Sequence, residues 1–362
     1  MSDGLKFDKE QFKPQTMDSP YTIEDDTTSF LQDEFFGAEN IRVTDEVTVE
    51  YEQFESRILD YSVKGAEPNI IDMGRRGSRK FEIPLISVSL PISAEQGDFR
   101  GVGELPVNSG KTPADRLNRL VLQTESRLSR MFKRTREKQC ADLLLNGKIE
   151  MNEMSEGKLV SKRVATFDKT VRVDVGTKWD TPGTDIYEQL WQYGTELRKT
   201  TGRNFKLILG SDAFKHFTKN EYIQKILDLR NFNIGNYSPG DAQKNGKYKG
   251  VAYVGALTIA GVGTINIYTY NAYYYKDDAE THVPYIDTKV ALLLPENNIG
   301  VYNYGSMTLL NKDTSKYVTV EAKEYSQYFI NDRLNTIEII KHSKPLPVPY
   351  PNLKWKALKV VS

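Results

Sequence analysis

Apolar positions recur along this chain with two periods, and the longest stretch of the helical period covers residues 112–146. Leu117, Leu120, Val121, Leu128, Met131 and Phe132 fall at three- and four-residue spacings there, which draws one apolar stripe along a helix. Thr112 suits the N-cap, Pro113 the first helical position and Asp115 the first turn, while Gly147 stands where a left-handed C-terminal cap belongs. No glycine or interior proline interrupts the run. At about 1.5 Å per residue the rod spans roughly 50 Å, against about 11 to 12 residues for a mean globular helix. A rod of that length crosses a flat or extended body.

The second period is two. Residues 41–63 and 80–90 alternate apolar and polar side chains as strands do, and the Gly- and charge-rich segment 64–80 between them predicts a long extended hairpin with a basic tip. Such a hairpin has little core of its own and must lean on a neighbour. Further on, 165–175 reads as a strand and 181–202 as a helix. FKLIL (205–209) is a buried strand type. Ser211 or Asp212 caps a short helix, and a further helix covers 220–230. From 248 to 304 the segments YKGVAYVG, ALTIAG, TINIYTYN and KVALLLP predict antiparallel strands. YVTVEA, TIEII and LKWKALKVV follow, with PLPVPYP joining the last two. Residues 1–40 are acidic and weakly patterned, an arm that orders only when something holds it. The order of elements is α+β, without internal repeats.

The charge balance sharpens the picture. Over 362 residues, 49 basic residues cancel 49 acidic ones, a composition that favours association over strongly basic nucleic-acid binding. The balance is segregated: residues 1–60 hold 16 acidic and 5 basic residues, and residues 111–138 hold nine basic and three acidic ones. Unlike regions are therefore expected to meet, within or between copies. Cys140 is the lone cysteine, so no intrachain disulfide forms and a reducing compartment is the simple reading. No secretory h-region opens the sequence and no apolar run reaches membrane-spanning length.

Candidate chemistry mostly falls away. NSGKT (108–112) has Leu105 where a phosphate-binding loop needs glycine. His216, His282 and His342 lie far apart and match no metal spacing, so no metal or cofactor is expected. Ala213 breaks the GxSxG elbow at 210–212. Asp25–Asp26 and Asp277–Asp278 read as solvated turns. IYTYNAYYY (267–275) suits either a stacking platform for single-stranded nucleic acid or, better, one packed face of a sheet. Arg127, Arg130 and Arg134 on the long helix either face phosphate or form a solvated, salt-bridged face; the pattern leaves both open.

Taken in order, several segments resemble the lambda-type major capsid proteins of tailed phages, which have the Hong Kong 97 capsid fold. RILDYSVKGAEPNIIDMGRRGSRKFEIPLISVSLPI is similar to the family's extended loop, and TESRLSRMFKRTREKQCADLLLNGKI to its spine helix. Trp179 with TPGTDIYEQL, then FKLILGSDAF, YKGVAYVG, TINIYTYNAYYYKDD, VPYIDTKVALLLP, GVYNYGSM and PLPVPYPNLKWKALKVV follow in the family's order. Residues 1–29 match nothing in it.

The resemblance implies an N-terminal arm (1–40), an extended loop with its base strands (41–100), a spine helix and peripheral lobe (101–180), an axial lobe (181–312) and returning strands of the peripheral lobe (313–362). It implies a non-enzymatic shell subunit that self-assembles into the icosahedral head around a double-stranded DNA genome, in the bacterial host's cytoplasm. Its implied partners are other copies of itself, portal, scaffold, a decoration protein and the packaged DNA. Lys64, Arg75, Arg76, Arg79 and Lys80 would form an inter-subunit loop tip, and Arg127, Arg130 and Arg134 would face the genome. Lys64 also lies in the loop that carries a Lys–Asn crosslink in part of the wider fold, although lambda-type shells use a decoration protein instead. The alternatives are an encapsulin-like bacterial nanocompartment shell and, from another class, an intracellular enzyme with an unrecognised site.

Overall fold

The structure, a computed structural model, describes residues 28–53, 75–93, 113–155, 158–167, 170–201, 204–229, 248–276, 281–296, 298–311, 316–331, 333 and 336–362. Its organising element is the helix α2 (Pro113–Asn146), whose bounds agree with the sequence pattern to within a residue. Thr112 and the 108–112 segment lie outside the described residues. The C-terminal stop is as expected: Gly147 has φ +64° and donates its N–H to the Leu143 carbonyl at 2.8 Å. Gly147→Ala forces a Cβ into the left-handed region and is expected to lower subunit stability by about 1 kcal/mol in chemical denaturation. An unchanged midpoint would show that the helix end frays freely.

The helix changes character along its length. In its first half Val121, Leu128 and Phe132 bury one stripe against Ile92 and Ile339. Met131, expected on that stripe, is exposed on the far side, since three residues beyond Leu128 turns the helix some 60° off the buried line. In the second half Cys140, Ala141, Leu143 and Leu144 are all fully buried, and the helix becomes a core element. Trp355 Nε1–H donates to the Leu144 carbonyl at 2.9 Å and closes that end.

One six-stranded mixed sheet carries most of the core. Its strands are β7 (Arg172–Asp174), β8 (Phe205–Leu209), β9 (Val251–Ile259), β10 (Gly263–Tyr270), β13 (Val290–Pro295) and β20 (Lys356–Lys359), in the order β7-β20-β13-β8-β10-β9. Side chains alternate across it. Phe205, Leu207 and Leu209 face the helices α3 (Ile186–Thr201), α4 (Ser211–Lys219) and α5 (Glu221–Leu229), while Ile208 faces α2's core. Apolar cover on both faces explains why VALLLP is an unbroken apolar run and why only Lys206, paired with Glu34, interrupts FKLIL. Within 248–304 the strand pairs are antiparallel as expected, β10 with β9 and Tyr273–Lys276 with Thr281–Pro284, while β10 also runs parallel to β8 from outside that region and VAYVG and ALTI form one continuous strand.

Local chemistry moved several helix starts. TPGTD is a turn rather than helix: Thr184 Oγ1 bonds the Lys178 and Thr181 carbonyls at 2.8 Å each, and Asp185 caps α3 through the Glu188 N–H. Gly210, not Ser211 or Asp212, is the N-cap of α4. The Asp287 and Thr288 carbonyls approach so closely that a Cβ at Gly210 would lie 2.5 Å from one of them. Asn220 caps α5 by accepting from Tyr222 and Ile223.

Smaller sheets flank this body. β1 (Ala38–Ile41), β14 (Gly300–Tyr304) and β19 (Pro345–Pro349) form one, ordered β1-β14-β19. PLPVP, read in the sequence as a link, is therefore a strand. Its prolines lack amide donors, which suits its place at the sheet edge. β4 (Ile86–Ser93), β17 (Tyr325–Asn331) and β18 (Thr336–Ser343) make a second sheet under the first half of α2. β2 (Glu46–Gln53) with β3 (Arg75–Glu82) and β5 (Lys148–Ser155) with β6 (Lys158–Thr166) are two-stranded ribbons. So are β11 (Tyr273–Lys276) with β12 (Thr281–Pro284) and β15 (Met307–Asn311) with β16 (Lys316–Val320).

Candidate functional site

Residues 28–41 are not a loose arm. Phe30, Leu31, Phe35 and Phe36 are buried, and they build the short helix α1 (Phe30–Phe35) before β1 pairs in parallel with β14. Asp33, Glu34 and Glu39 hid those four apolar positions in a sequence that looked acidic throughout. Phe30 sits among Tyr248, Tyr268 and Tyr270, with ring centroids 5.4 to 6.2 Å away. Tyr268 and Tyr270 therefore pack against α1, and the stacking-platform reading of that pair gives way to packing; Tyr273 and Tyr275 on the β11–β12 ribbon are exposed.

Glu137 fixes α1 to the long helix. Its carboxylate, wholly buried, accepts the backbone N–H of Leu31 at 2.9 Å and of Gln32 at 3.2 Å, and the Tyr270 hydroxyl at 2.8 Å. Burial raises this carboxyl to about 7, against the pull of those three hydrogen bonds. From the other side Lys206 of β8, nearly buried, pairs with Glu34. α1 is thus wedged between the long helix and the six-stranded sheet.

A second polar seam seats the first half of α2 on the β17–β18–β4 sheet. Arg136 meets Glu324 at 2.6 Å, Lys341 meets Glu324 at 2.9 Å and Ser129 Oγ at 2.5 Å, and the Tyr328 hydroxyl donates to Glu125 at 2.6 Å. Burial works to raise the Glu324 carboxyl, but hydrogen bonds from Lys341 and Arg136 prevail and hold it below its ordinary value. Arg136 also reaches Gln32, so the seam runs on into the α1 dock. Mutually satisfied charges of this kind fix register rather than do chemistry. The sequence pattern missed Glu125, Arg136, Glu137, Glu324 and Lys341. The one legible hint was a charged pair, Arg136–Glu137, just before the wholly apolar turn at 143–145.

The base of the extended hairpin is anchored in its own chain. β2 and β3 pair from Glu46 opposite Glu82 out to Gln53 opposite Arg75. The Phe81 and Phe167 rings lie 4.4 Å apart, and Arg163 bridges Glu82 at 2.6 Å and Glu153 at 2.6 Å. The return strand begins earlier than expected, so Arg75, Arg76, Arg79 and Lys80 lie in β3 and not at a tip. Arg79 donates to the Phe167 carbonyl at 3.3 Å and Lys80 pairs with Glu46 at 3.6 Å. Successive strand residues face opposite ways, so these two cations do not form one patch. Lys64 lies outside the described residues.

Arg127 is exposed and Arg130 half-buried on the side of α2 turned away from its apolar stripe, and Arg134 shares that side. Neither Arg127 nor Arg130 has an ion-pair partner among the described residues. The histidines stay apart. His216 is on α4, His282 meets the Tyr275 ring edge-on, and His342 is buried on β18 with Nδ1 2.9 Å from Ser87 Oγ. Among the described residues no group of three His, Cys, Asp or Glu could hold a metal ion, and no helix is long and apolar enough to cross a membrane.

A long helix bridging two cores and a hairpin anchored at its base are the elements of the Hong Kong 97 capsid fold. One solved structure agrees in fold. A putative capsid protein of an E. coli CFT073 prophage superposes with a TM-score of 0.63 at 16% identity, covering 92% of this chain and 94% of that one. The mature capsid of bacteriophage PhiM1 gives 0.49 at 10% identity, with 95% and 89% covered. The holo-SrpI encapsulin complex from Synechococcus elongatus PCC 7942 gives 0.44 at 10%, with 98% and 94% covered. Scores of 0.49 and 0.44 add nothing to the fold assignment. No curated protein matches the sequence. The profile of the phage major capsid protein E family matches residues 15–358, and the chain belongs to that family. It is a structural major capsid protein of a phage head.

Proposed function

We propose that the chain is the repeating subunit of an icosahedral head that encloses the double-stranded DNA of a tailed phage and assembles in the bacterial cytoplasm. The observation that carries this reading is the family match over residues 15–358. The role is mechanical, with no catalytic step. Its partners are further copies of the chain, a portal, a scaffold and a decoration protein. Contact with packaged DNA is non-specific, through the exposed arginine side of α2 at Arg127, Arg130 and Arg134. Light scattering after size exclusion should find megadalton particles, and electron microscopy closed shells. A subunit that stays monomeric under every assembly condition, scaffold included, would overturn the reading.

The outer part of the extended hairpin docks on an acidic surface of a neighbouring copy, through Lys64, Arg75 and Arg76. The support is charge segregation, together with the engagement of Arg79 and Lys80 inside their own chain. Single exposed pairs are worth about 0 to 1 kcal/mol, so repetition over many copies carries the effect. Arg75→Glu with Arg76→Glu is expected to cut particle yield strongly, most of all at low salt, while circular dichroism of the unassembled subunit stays unchanged. Normal particle yield would rule this contact out.

A further inference from the structure

The extended hairpin joins the body through a short link. β3 ends at Glu82 and β4 begins at Ile86, so three residues, Ile83 to Leu85, connect the hairpin to the β17–β18–β4 sheet. Ile83 is buried and donates its N–H to the Asp45 carbonyl at 2.9 Å, which leaves little slack on the hairpin side. On the sheet side the first residues of β4 pair with β18, Ile86 opposite Ser343, Ser87 opposite His342 and Val88 opposite Lys341.

His342 is the titratable group at that junction. It is 7% exposed, its Nδ1 lies 2.9 Å from Ser87 Oγ, and its Nε2 has no hydrogen-bond partner among the described residues. A neutral imidazole tolerates this arrangement, because one nitrogen carries no proton and Nδ1 shares a hydrogen bond with Ser87. The imidazolium does not: both nitrogens then donate, and Nε2–H becomes a buried charged donor without an acceptor. The neighbours offer no compensating carboxylate. On β18 itself Lys341 faces α2, Lys344 pairs with Asp45, and Glu338, on the same face as His342, lies about 13 Å along the strand. On β17 Tyr325 stands opposite His342, and Glu324 before it is held by Arg136 and Lys341. β4 has no ionisable residue. The β15–β16 ribbon, whose Leu310 carbonyl accepts from Gln327 of β17 at 3.4 Å, adds only Lys316 among its described residues. Burial accordingly pulls the imidazole below its ordinary value.

We propose that protonation of His342 unpairs the first residues of β4 from β18, lengthens the link at the root of the extended hairpin and frees the hairpin to swing. Val88, Leu90 and Ile92 stay packed against the apolar stripe of α2, so the opening stops after Ser87. The link then grows from three residues to five, from about 10 Å to about 17 Å of extended chain. The closed junction is fully stable above 6.5, the ordinary imidazole value, and weakens as pH falls from there through the depressed value of the buried ring.

Amide hydrogen exchange in the full-length, unassembled subunit reads the junction, with protection corrected for the intrinsic pH dependence of exchange. Protection at Ile86 and Ser87 is expected to fall several-fold from about pH 8 to about pH 5, while Leu90 and Ile92 hold theirs. In His342→Gln, which can still bond Ser87 and cannot take up the proton, that fall should vanish. Spin labels on Glu50→Cys in β2 and Arg333→Cys at the β17–β18 turn read the swing; Cys140 is fully buried and does not compete for label. Their distance distribution should broaden over the same pH range, and not in the His342→Gln background. A loss of protection spread evenly over β4 overturns the proposal, as does a fall that persists in His342→Gln or one that leaves the label distances unchanged. If His342→Gln does not fold, an NMR titration of the unmodified subunit's imidazoles decides. His342 is expected to titrate below 6.5, and titration at or above that value overturns the proposal.

Discussion

Glu137→Ala is expected to lower the unfolding free energy of the subunit by about 3 to 5 kcal/mol, the loss for a buried acceptor that leaves several donors unpaired. The Leu31 and Gln32 N–H groups and the Tyr270 hydroxyl would lose their common partner inside the core. α1 would be left with its apolar contacts, the Lys206–Glu34 pair and the hydrogen bonds of Gln32 to Arg136 and of Asp33 to Tyr248. Urea unfolding of the unassembled subunit measures this directly, and a loss below 1 kcal/mol would mean that α1 does not depend on Glu137.

Glu137→Gln keeps the shape and removes the charge, so it isolates the effect of pH. The folded subunit keeps a proton on Glu137 up to about 7, whereas the unfolded chain releases it near 4.5. The stabilisation is complete below the unfolded value and is lost as pH rises through the folded one, so stability falls across that window. In Glu137→Gln that slope should disappear. Glu324 works in the opposite sense, because its folded value is depressed. Its contribution is present above 4.5 and is lost as pH falls through the depressed value, so Glu324→Gln should soften the acid limb. An unchanged slope in Glu137→Gln would refute the assignment of that window to this carboxyl.

Leu128→Pro is expected to be the second severe substitution. It removes a backbone hydrogen bond, clashes one turn back and costs about 3 kcal/mol or more. It also empties a position that is fully buried against the β17–β18–β4 sheet. Because Glu125, Ser129 and Arg136 flank it, a kink there pulls the polar seam out of register. Thermal scans of the variant and its particle yield should both drop. Normal yield and melting would show that the two halves of α2 act independently.

The long helix was legible because its period and its stop at Gly147 agree, and so was β8, where four apolar residues in five read as a strand buried on both faces. The α1 dock was not, because four buried apolar residues are diluted by acids whose partners, Lys206 and the cluster around Glu137, lie far away in sequence. The hairpin's base was legible as paired strands, but the stretch expected as one strand over 80–90 is two, since β3 runs from Arg75 to Glu82 and β4 leaves from Ile86 to pair with β18; the outer part at 54–74 lies outside the described residues. A Gly–Ser–Arg stretch reads as a turn by composition, and only pairing with Tyr51, Glu50 and Val49 makes it a strand. PLPVP failed for a related reason, since proline argues against a strand except at an edge, and edges are not visible in a sequence. The expectation that the last segment joins the peripheral strands missed β20, which completes the six-stranded sheet. Of the basic positions, the arginines of α2 emerged as a face because helical spacing is readable, whereas Arg79 and Lys80 turned out to hold the hairpin's own base.

The place of β20 bears on how the subunit is made. Ala357 pairs with Arg172 in parallel and with Leu292 in antiparallel, so the central sheet closes only once Lys356–Lys359 has been made. Contacts this distant in sequence form late. A chain that stops short of residue 356 leaves β13 and β7 with open edges over an uncovered core. A subunit without β20 therefore fails in its own fold before any contact with a neighbour is in question.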